Sequence, residues 1–540
     1  MSPIFSEGKR ISSSEKKTIF DYADALKLRV PTSCGRTGEC HECIVEIRSG
    51  SHGLNPPTNQ EEFLRGNYRL ACQTRVIDSN LDIEFIPLRR QPRILSNTFK
   101  RTVTLNPSTQ KASNKVFLKG KYIEDYRGKI LGLSGDIGTT TVVLNLIDLE
   151  SGTVLYTSSF ENPQGFGGSD VMNRISYEST TYKGELRKVI ISSINFEIGV
   201  MTRDLGLHRR QIYDLVLVGN TTMRDILFGI NVQSVGEKPY KSLIQHDYES
   251  GVRNNTSLRH KASKMGIRVS PFAEVYSGPL IGSHIGSDVS ADLLAIEMDE
   301  SYDNMMLVDI GTNTEVVIGN RDRMVAASCP AGPAFEGGEV RYGMPGYDGA
   351  IETVSIKDGE SDIATIGNEK PMGICGSGLV DLLAELRRNM LMNDLGVLNG
   401  GKDRFVFEKE SDMALSRSDI SALAQAKSAN YCGQYIALRT FGKDIEDIKG
   451  LYLAGGFANY VDTENAKAIG FIADFPSDKI QKVGNAALEG ATVMLQSNEM
   501  RRKLEELVSH IEHIELETTE DFFDIFVEGC MFKPMPTELT

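Results

Sequence analysis

Two stretches of this chain follow one plan. LGLSGDIGTTTVVLNLID (131–148) and MLVDIGTNTEVVIGN (306–320) each run from an apolar strand through Asp-Ile-Gly-Thr into a second apolar strand, with Asp136 and Asp309 173 positions apart. Such a hairpin exposes amides and hydroxyls beside one carboxylate. Gly138 and Gly311 allow close backbone approach, Thr139, Thr140, Thr141, Thr312 and Asn313 supply donors, and the aspartate can hold Mg2+ directly or through water. One copy reads as an ordinary hairpin turn. Two copies, each between hydrophobic strands, point to a paired phosphate site. A third stretch, GLYLAGGFANYVD (450–462), reads as a buried strand ending at Gly455 and Gly456. A flat ligand can approach the backbone there, although taken alone the pair suits a strand-to-helix turn.

At 540 residues the chain exceeds one hydrophobic core, and two to four domains are expected. No run of 18 or more apolar residues suggests a bilayer span. The first residues lack the apolar core and cleavage site of a secretory signal, and eight cysteines in this length are far from a disulfide scaffold. A cytoplasmic protein with one local thiolate site is expected. The net charge of −14 is uneven: residues 1–88 hold 11 basic and 12 acidic residues, whereas residues 89–127 hold 10 basic and 2 acidic. A basic strap therefore joins a neutral head (1–88) to an acidic body (131–540), with 89–130 as the linker. No interleaved aromatics or reader motif accompany the strap, so packing on the acidic body is expected rather than nucleic-acid binding. If unfolded, 40 such residues would span about 35 Å and let the head swing.

Four of the eight cysteines fall in the head, spaced Cys34-x5-Cys40-x2-Cys43-x28-Cys72. A helix is expected in KTIFDYADALKL, where Ile19, Tyr22, Ala23 and Leu26 share a face, and a strand in CIVEIRSGS. Zinc usually takes two close ligand pairs. Here three cysteines share a loop with Gly35, Thr37 and Gly38, and the fourth arrives singly on what reads as a later strand. Zinc and plain core cysteines remain alternatives, but the loop best suits a [2Fe–2S] cluster, whose sulfurs accept backbone amides. The spacing resembles the adrenodoxin variant of the plant-type ferredoxins, so the head is similar to a β-grasp ferredoxin. Head and body are expected to have separate cores.

The paired hairpins and the late Gly-Gly turn resemble the nucleotide site of the actin, hexokinase and heat-shock chaperone ATPase superfamily. That resemblance implies two ribonuclease-H-like lobes closing on ATP, and a multidomain α/β and α+β chain. ENPQGFGGSDVMNRISY, LVGNTTMRDILFGI, AGPAFEGG, GAIE, GICGSGLVDLLAEL and VGNAALEGA carry the likeness further. With the ferredoxin-like head, the chain resembles the reductive activators of corrinoid proteins over about 90% of its length.

The resemblance implies a [2Fe–2S] cluster on Cys34, Cys40, Cys43 and Cys72. It also implies ATP with Mg2+ between the Asp136 and Asp309 hairpins, and adenosine at Gly455 and Gly456. The partner would be a corrinoid protein of a methyltransferase system, whose Co(II) is returned to Co(I); the electron donor stays unnamed. An actin-superfamily kinase or an ATP-binding redox sensor with a ferredoxin head is the alternative. Glu336 and Gln164 are candidates for activating water. Ser328 is either a cobalt-facing hydroxyl or a turn serine. Cys329, Cys375, Cys432 and Cys530 read as buried small hydrophobes, and His510 and His513 as surface. One departure stands out: family members set a sizeable middle domain after the ferredoxin, where only 89–130 intervene here.

Overall fold

The strand signals at the start of the chain pair into a mixed five-stranded sheet. The computed structural model describes residues 2–88, 99–282, 284–456 and 458–537. In the head, β1 (Pro3–Ser6), β2 (Lys9–Ser12), β3 (Ile44–Ser49), β4 (Tyr68–Leu70) and β5 (Ile83–Pro87) take the order β2-β1-β5-β3-β4. β1 runs antiparallel to β2 and parallel to β5, as a β-grasp requires. The helix Ile19–Ala25 starts at a capping box, in which Thr18 accepts from the Asp21 amide and Asp21 from the Thr18 amide. Its Ile19, Phe20, Tyr22 and Ala23 join Ile4, Val45 and Phe85 in one apolar cluster. Cys72 lies in the turn just after β4 rather than on a strand.

The strap is no free tether over its described part; residues 89–98 lie outside the described residues. Residues 109–125 form a three-stranded meander, β6 (Thr109–Ala112), β7 (Lys115–Leu118) and β8 (Lys121–Asp125). Val116 buries beside Ile130 and Ile147 of the body. The physical reason is charge. Arg101 enters the body and donates to the Leu294 carbonyl at 2.6 Å, to Asp299 at 2.6 and 3.1 Å and to Glu300 at 2.8 Å, while Lys119 meets Glu274 and Lys129 meets Asp148. The expected packing on acidic residues is therefore present, and a 40-residue swing is excluded.

Two further six-stranded sheets share one construction. The first contains β9 (Leu131–Ile137), β10 (Thr141–Asp148), β11 (Val154–Glu161), β12 (Ile212–Val218), β13 (Leu258–Lys261) and β14 (Glu274–Ser277), in the order β11-β10-β9-β12-β14-β13. The second begins with β15 (Met305–Ile310), β16 (Asn313–Asn320) and β17 (Arg323–Pro330). Small side sheets follow, made of β18 (Ala350–Lys357), β19 (Glu360–Thr365) and β20 (Gly373–Ile374), and of β21 (Arg404–Glu408) and β22 (Met413–Ser416). The sheet is completed by β23 (Gly450–Ala454), β24 (Ile480–Gly484) and β25 (Ile511–Ile514), in the order β24-β23-β15-β16-β17-β25. In each, the first strand of an antiparallel meander (β9-β10-β11, β15-β16-β17) continues on its other side into two parallel strands, β12 then β14 or β23 then β24. These are two ribonuclease-H-like lobes.

The helices Ser287–Ala295 and Ala486–Gln496 join both sheets in a single apolar cluster with Val216, Tyr276, Leu307 and Val317. They cross so closely that a Cβ on Gly490 would lie 2.0 Å from the Ala291 carbonyl oxygen. The expectation of separate head and body cores is corrected: head and first lobe share one apolar cluster, because Phe63 of the head meets Phe166 and lends its carbonyl to the Tyr177 hydroxyl.

Replacing Arg101 leaves Asp299 buried without its cation, which typically costs about 3–5 kcal/mol. Arg101→Ala is expected to lower the denaturant midpoint accordingly. Lys111→Ala, on the exposed face of the same strap, is expected to change stability by less than about 0.5 kcal/mol.

Candidate functional site

The cysteine loop is held in a tight backbone path. Gly35, Arg36, Gly38 and His41 all have positive φ, between 58° and 91°, a conformation that costs energy for the two side-chain-bearing residues. Arg36 is compensated by Asp21 and Asp24 and by the Phe20 ring 4.0 Å below it. All four thiols act on one another: Cys40 on Cys34, Cys72 and Cys40 on Cys43, and Cys43 and Cys34 on Cys72. Burial opposes ionisation of Cys34, but Thr37, the amide and thiol of Cys40 and the Gly38 amide outweigh it and bring the thiol down to about 5. The neighbouring Cys43 thiol brings Cys72 to about 7, while Cys43 itself is pushed up. The Gln73 amide donates to Cys72 Sγ and to the Arg36 carbonyl, both at 3.3 Å, tying the late cysteine to the loop. Four mutually interacting thiols fit the four ligands of a [2Fe–2S] cluster.

Both Asp-Ile-Gly-Thr turns open into one cleft of about 280 Å3 between the lobes. It is lined by Asp136, Gly138, Thr139, Thr140 and Thr141 from the first hairpin, by Asp309, Gly311, Thr312 and Asn313 from the second, and by Gly455 and Gly456. The two turns are joined by Glu336, whose Oε2 accepts from Thr140 Oγ1 at 2.7 Å and Thr312 Oγ1 at 2.8 Å. Gly455 has φ +106°, and a Cβ there would lie 2.1 Å from the Ile310 carbonyl oxygen, so no other residue fits. Gly456 beside it faces open space.

Seven carboxylates and no lysine or arginine line this cleft among the described residues. Burial pushes Asp136 up to about 7 despite the Asn485 amide donating to it at 2.8 Å. Burial likewise holds Asp309 near 6, and burial plus the charges of Asp136 and Asp309 hold Asp288 near 8. Burial and their acidic neighbours drive Asp292 and Glu315 well above the carboxylate range, and burial raises Glu336. Neither Asp292 oxygen has a hydrogen-bond partner. A site this acidic, with orphaned oxygens, can hold a cation. Mg2+ typically takes one or two carboxylates and fills its shell with water and phosphate.

Several side chains lie elsewhere than expected. Gln164 is buried, donating to the Leu186 carbonyl and accepting from Arg174, and so braces a turn away from the cleft lining. Ser328 sits on β17, not in a turn, and donates to the buried Glu315 at 3.0 Å. His513 is half-buried on β25, where burial first, then His284 and Lys241, bring it down to about 4; His510 is exposed. Cys329, Cys375 and Cys432 are buried, Cys375 at the cleft, but Cys530 is half-exposed. Asp288 and Asp292 went unread, although SDVSAD carries two aspartates four apart on one helix face. Asn220 of LVGNTTMRDILFGI and Asn485 of VGNAALEGA also line the cleft, and Asn220 donates to Thr139 Oγ1 at 2.9 Å.

The geometry defines a ferredoxin-like iron–sulfur head on a two-lobed ATPase of the actin and hexokinase type. Residues 4–76 match the 2Fe-2S iron-sulfur cluster binding domain. Residues 131–301 match the RACo middle region, and 303–540 the C-terminal domain of RACo, the ASKHA domain. The corrinoid activation enzyme RamQ of Eubacterium limosum is 26% identical over 596 residues, covering 98% of each chain. The [Co(II) methylated amine-specific corrinoid protein] reductase of Methanosarcina barkeri is 25% identical over 437 residues, covering 73% of this chain and 76% of its own. A solved structure, the reductive activator for corrinoid,iron-sulfur protein, is 27% identical with a TM-score of 0.71, covering 99% of each chain. The chain belongs to this family of reductive activators of corrinoid proteins. The RACo middle region matches 131–301, the first lobe, so residues 89–130 alone stand between the head and the two lobes.

The raised carboxyls carry protons in the folded state that the unfolded chain has already released. Their stabilisation is therefore present in acid and lost as pH rises from about 4 through about 8. Asp288→Asn removes one such group. It is expected to raise the melting temperature of nucleotide-free protein by several degrees near pH 8.5, with the gap narrowing near pH 5, by circular dichroism melts.

Proposed function

We propose that this protein uses ATP to return a corrinoid protein from Co(II) to Co(I), the state that accepts a methyl group. One observation carries the reading: a four-thiol head is seated on the first lobe of a cleft that joins two phosphate-type hairpins. When bound, a [2Fe–2S] cluster carries one electron at a time. The chain's part is to hold that group on Cys34, Cys40, Cys43 and Cys72 and to present it to a corrinoid partner. ATP assists such a transfer only by binding two conformations unequally, and two lobes hinged at the Ala291–Gly490 crossing supply them.

Within the cleft, the Gly138–Thr141 and Gly311–Asn313 turns would bind phosphate oxygens through amides and hydroxyls, and Gly455 and Gly456 would lie against adenosine. Asp136, Asp309, Asp288 and Asp292 would hold Mg2+, with Asn485 orienting Asp136. Glu336 is preferred over Gln164 for orienting the attacking water. Its carboxylate spans both hairpins, whereas Gln164 is committed to Leu186 and Arg174. A kinase reading would leave the head without a role. A cytoplasmic site of action belongs to this reading; among the described residues no helix is long and apolar enough to cross a membrane.

The deciding experiment mixes reconstituted protein, a chemical reductant and a Co(II) corrinoid protein, and follows the Co(I) absorbance band. The band is expected with ATP and nearly absent without it; equal Co(I) formation without ATP would overturn the reading. Cys72→Ser is expected to abolish cobalt reduction while ATP hydrolysis persists. Glu336→Gln is expected to slow hydrolysis by roughly 100-fold or more, the usual worth of a positioned general base, while ATP binding is retained in calorimetry.

A further inference from the structure

We propose that Arg174 is a positioning residue tying the first hairpin to the seating of the cysteine head, so that a nucleotide in the cleft resets how the head sits on the first lobe. This rests on the nucleotide reading above and adds the route by which the cleft reaches the cluster loop.

Arg174 is 2% exposed and donates to four acceptors: the Thr139 carbonyl at 2.7 Å, the Gly168 carbonyl at 3.0 Å, Met223 Sδ at 3.0 Å and Gln164 Oε1 at 3.2 Å. It makes no ion pair with a described carboxylate. Its direct partners are neutral oxygens and one sulfur, and burial brings it down to about 10 against the pull of Asp170, Tyr68 and Glu336. A buried cation so placed, directly behind a turn that offers its amides to phosphate, is drawn by any anion arriving there. Arg174 lies on the two-turn helix Val171–Glu178. Three residues on, Tyr177 donates its hydroxyl to the Phe63 carbonyl of the head at 2.7 Å.

A second tie runs beside the first. Asn162 donates to the Gly138 carbonyl at 2.7 Å and opens the turn Pro163–Gly167. Phe166 of that turn meets Phe63 and Tyr177 edge-on, with ring centroids 5.4 and 5.5 Å apart. Phe63 in turn stacks on His41 at 4.0 Å, and His41 stands next to Cys40 in the cluster loop. Two consecutive carbonyls of the hairpin, Gly138 and Thr139, are thus held by the two elements that hold the head. Glu185 on His41 at 2.7 Å and Lys188 on the Glu39 carbonyl at 3.3 Å fix the loop to the same lobe.

The test is hydrogen–deuterium exchange of residues 35–43 in the cluster-loaded full chain, with and without a saturating non-hydrolysable ATP analogue and Mg2+. In the parent protein the analogue is expected to change loop exchange by about fivefold or more, the low end of ordinary coupling between sites. Arg174→Lys keeps the charge but cannot reach all four acceptors at once, and is expected to abolish most of that response. Tyr177→Phe removes one hydroxyl, and is expected to raise loop exchange without nucleotide and blunt the response while leaving analogue binding unchanged. A parent that binds the analogue with unaltered loop exchange, or an Arg174→Lys variant that responds like the parent, overturns the proposal. A parent that binds no analogue overturns the nucleotide reading itself, and this inference with it.

Discussion

Like charge gathered between two lobes, with nothing of opposite sign to meet it, is the condition on which the rest of this molecule turns. Asp136 and Asp309 come from the two hairpins, Asp288 and Asp292 from the helix between the sheets, and Glu336 spans the hairpins from above; none faces a lysine or arginine in the lining among the described residues. Carboxyls buried this way keep their protons or take a cation. Each choice has a mechanical meaning, because the acids belong to different lobes. Ionised and unscreened, they push the lobes apart; neutralised, they let the lobes approach. A polyanion that arrives with its own divalent cation is the ligand that satisfies both the acids and the amides of the two turns.

The fold delivers those groups by building the same sheet twice. In each lobe the first strand of a meander is flanked by the next meander strand and a parallel strand, so its carboxyl end, with the Asp-Ile-Gly-Thr turn, emerges at the middle of the sheet edge. Two such edges set face to face bring the two turns together. The tight crossing at Ala291 and Gly490 fixes where the lobes meet.

The sequence analysis reached what repeats or what is local. The duplicated turns led to Asp136 and Asp309 in one cleft, and the spacing of four cysteines led to four thiols that act on one another. It fell short wherever partners are distant in the chain. Asp288 and Asp292 gain meaning only beside Asp309, and Ser328 only beside Glu315. The strap's basic composition points to the acidic body but not to particular acids, and Arg101 finds its own about 200 positions away at Asp299 and Glu300. His513 looks like surface in HIEHIEL, but β25 pairs with β17 and draws it inward. Gln164, in a family-like loop, could not be told from a cleft residue until Arg174 took its oxygen.

Anchoring the strap at Arg101 changes what the head can do. Ten residues lie between Leu88 and Phe99, and a segment of that length reaches at most about 36 Å however it is arranged. The head therefore works within a short radius of the first lobe, and its effective concentration there stays in roughly the millimolar range. A group so confined needs no strong docking surface to be found. The contacts at Phe63, His41 and Tyr177 are accordingly better suited to choosing an orientation than to supplying affinity. Orientation is what an electron carrier must alternate, facing its donor at one moment and its acceptor at another. The aromatic contact that seats the head is also the contact that must yield, and its nearest neighbours in the lobe are the residues holding the carbonyls of the first hairpin.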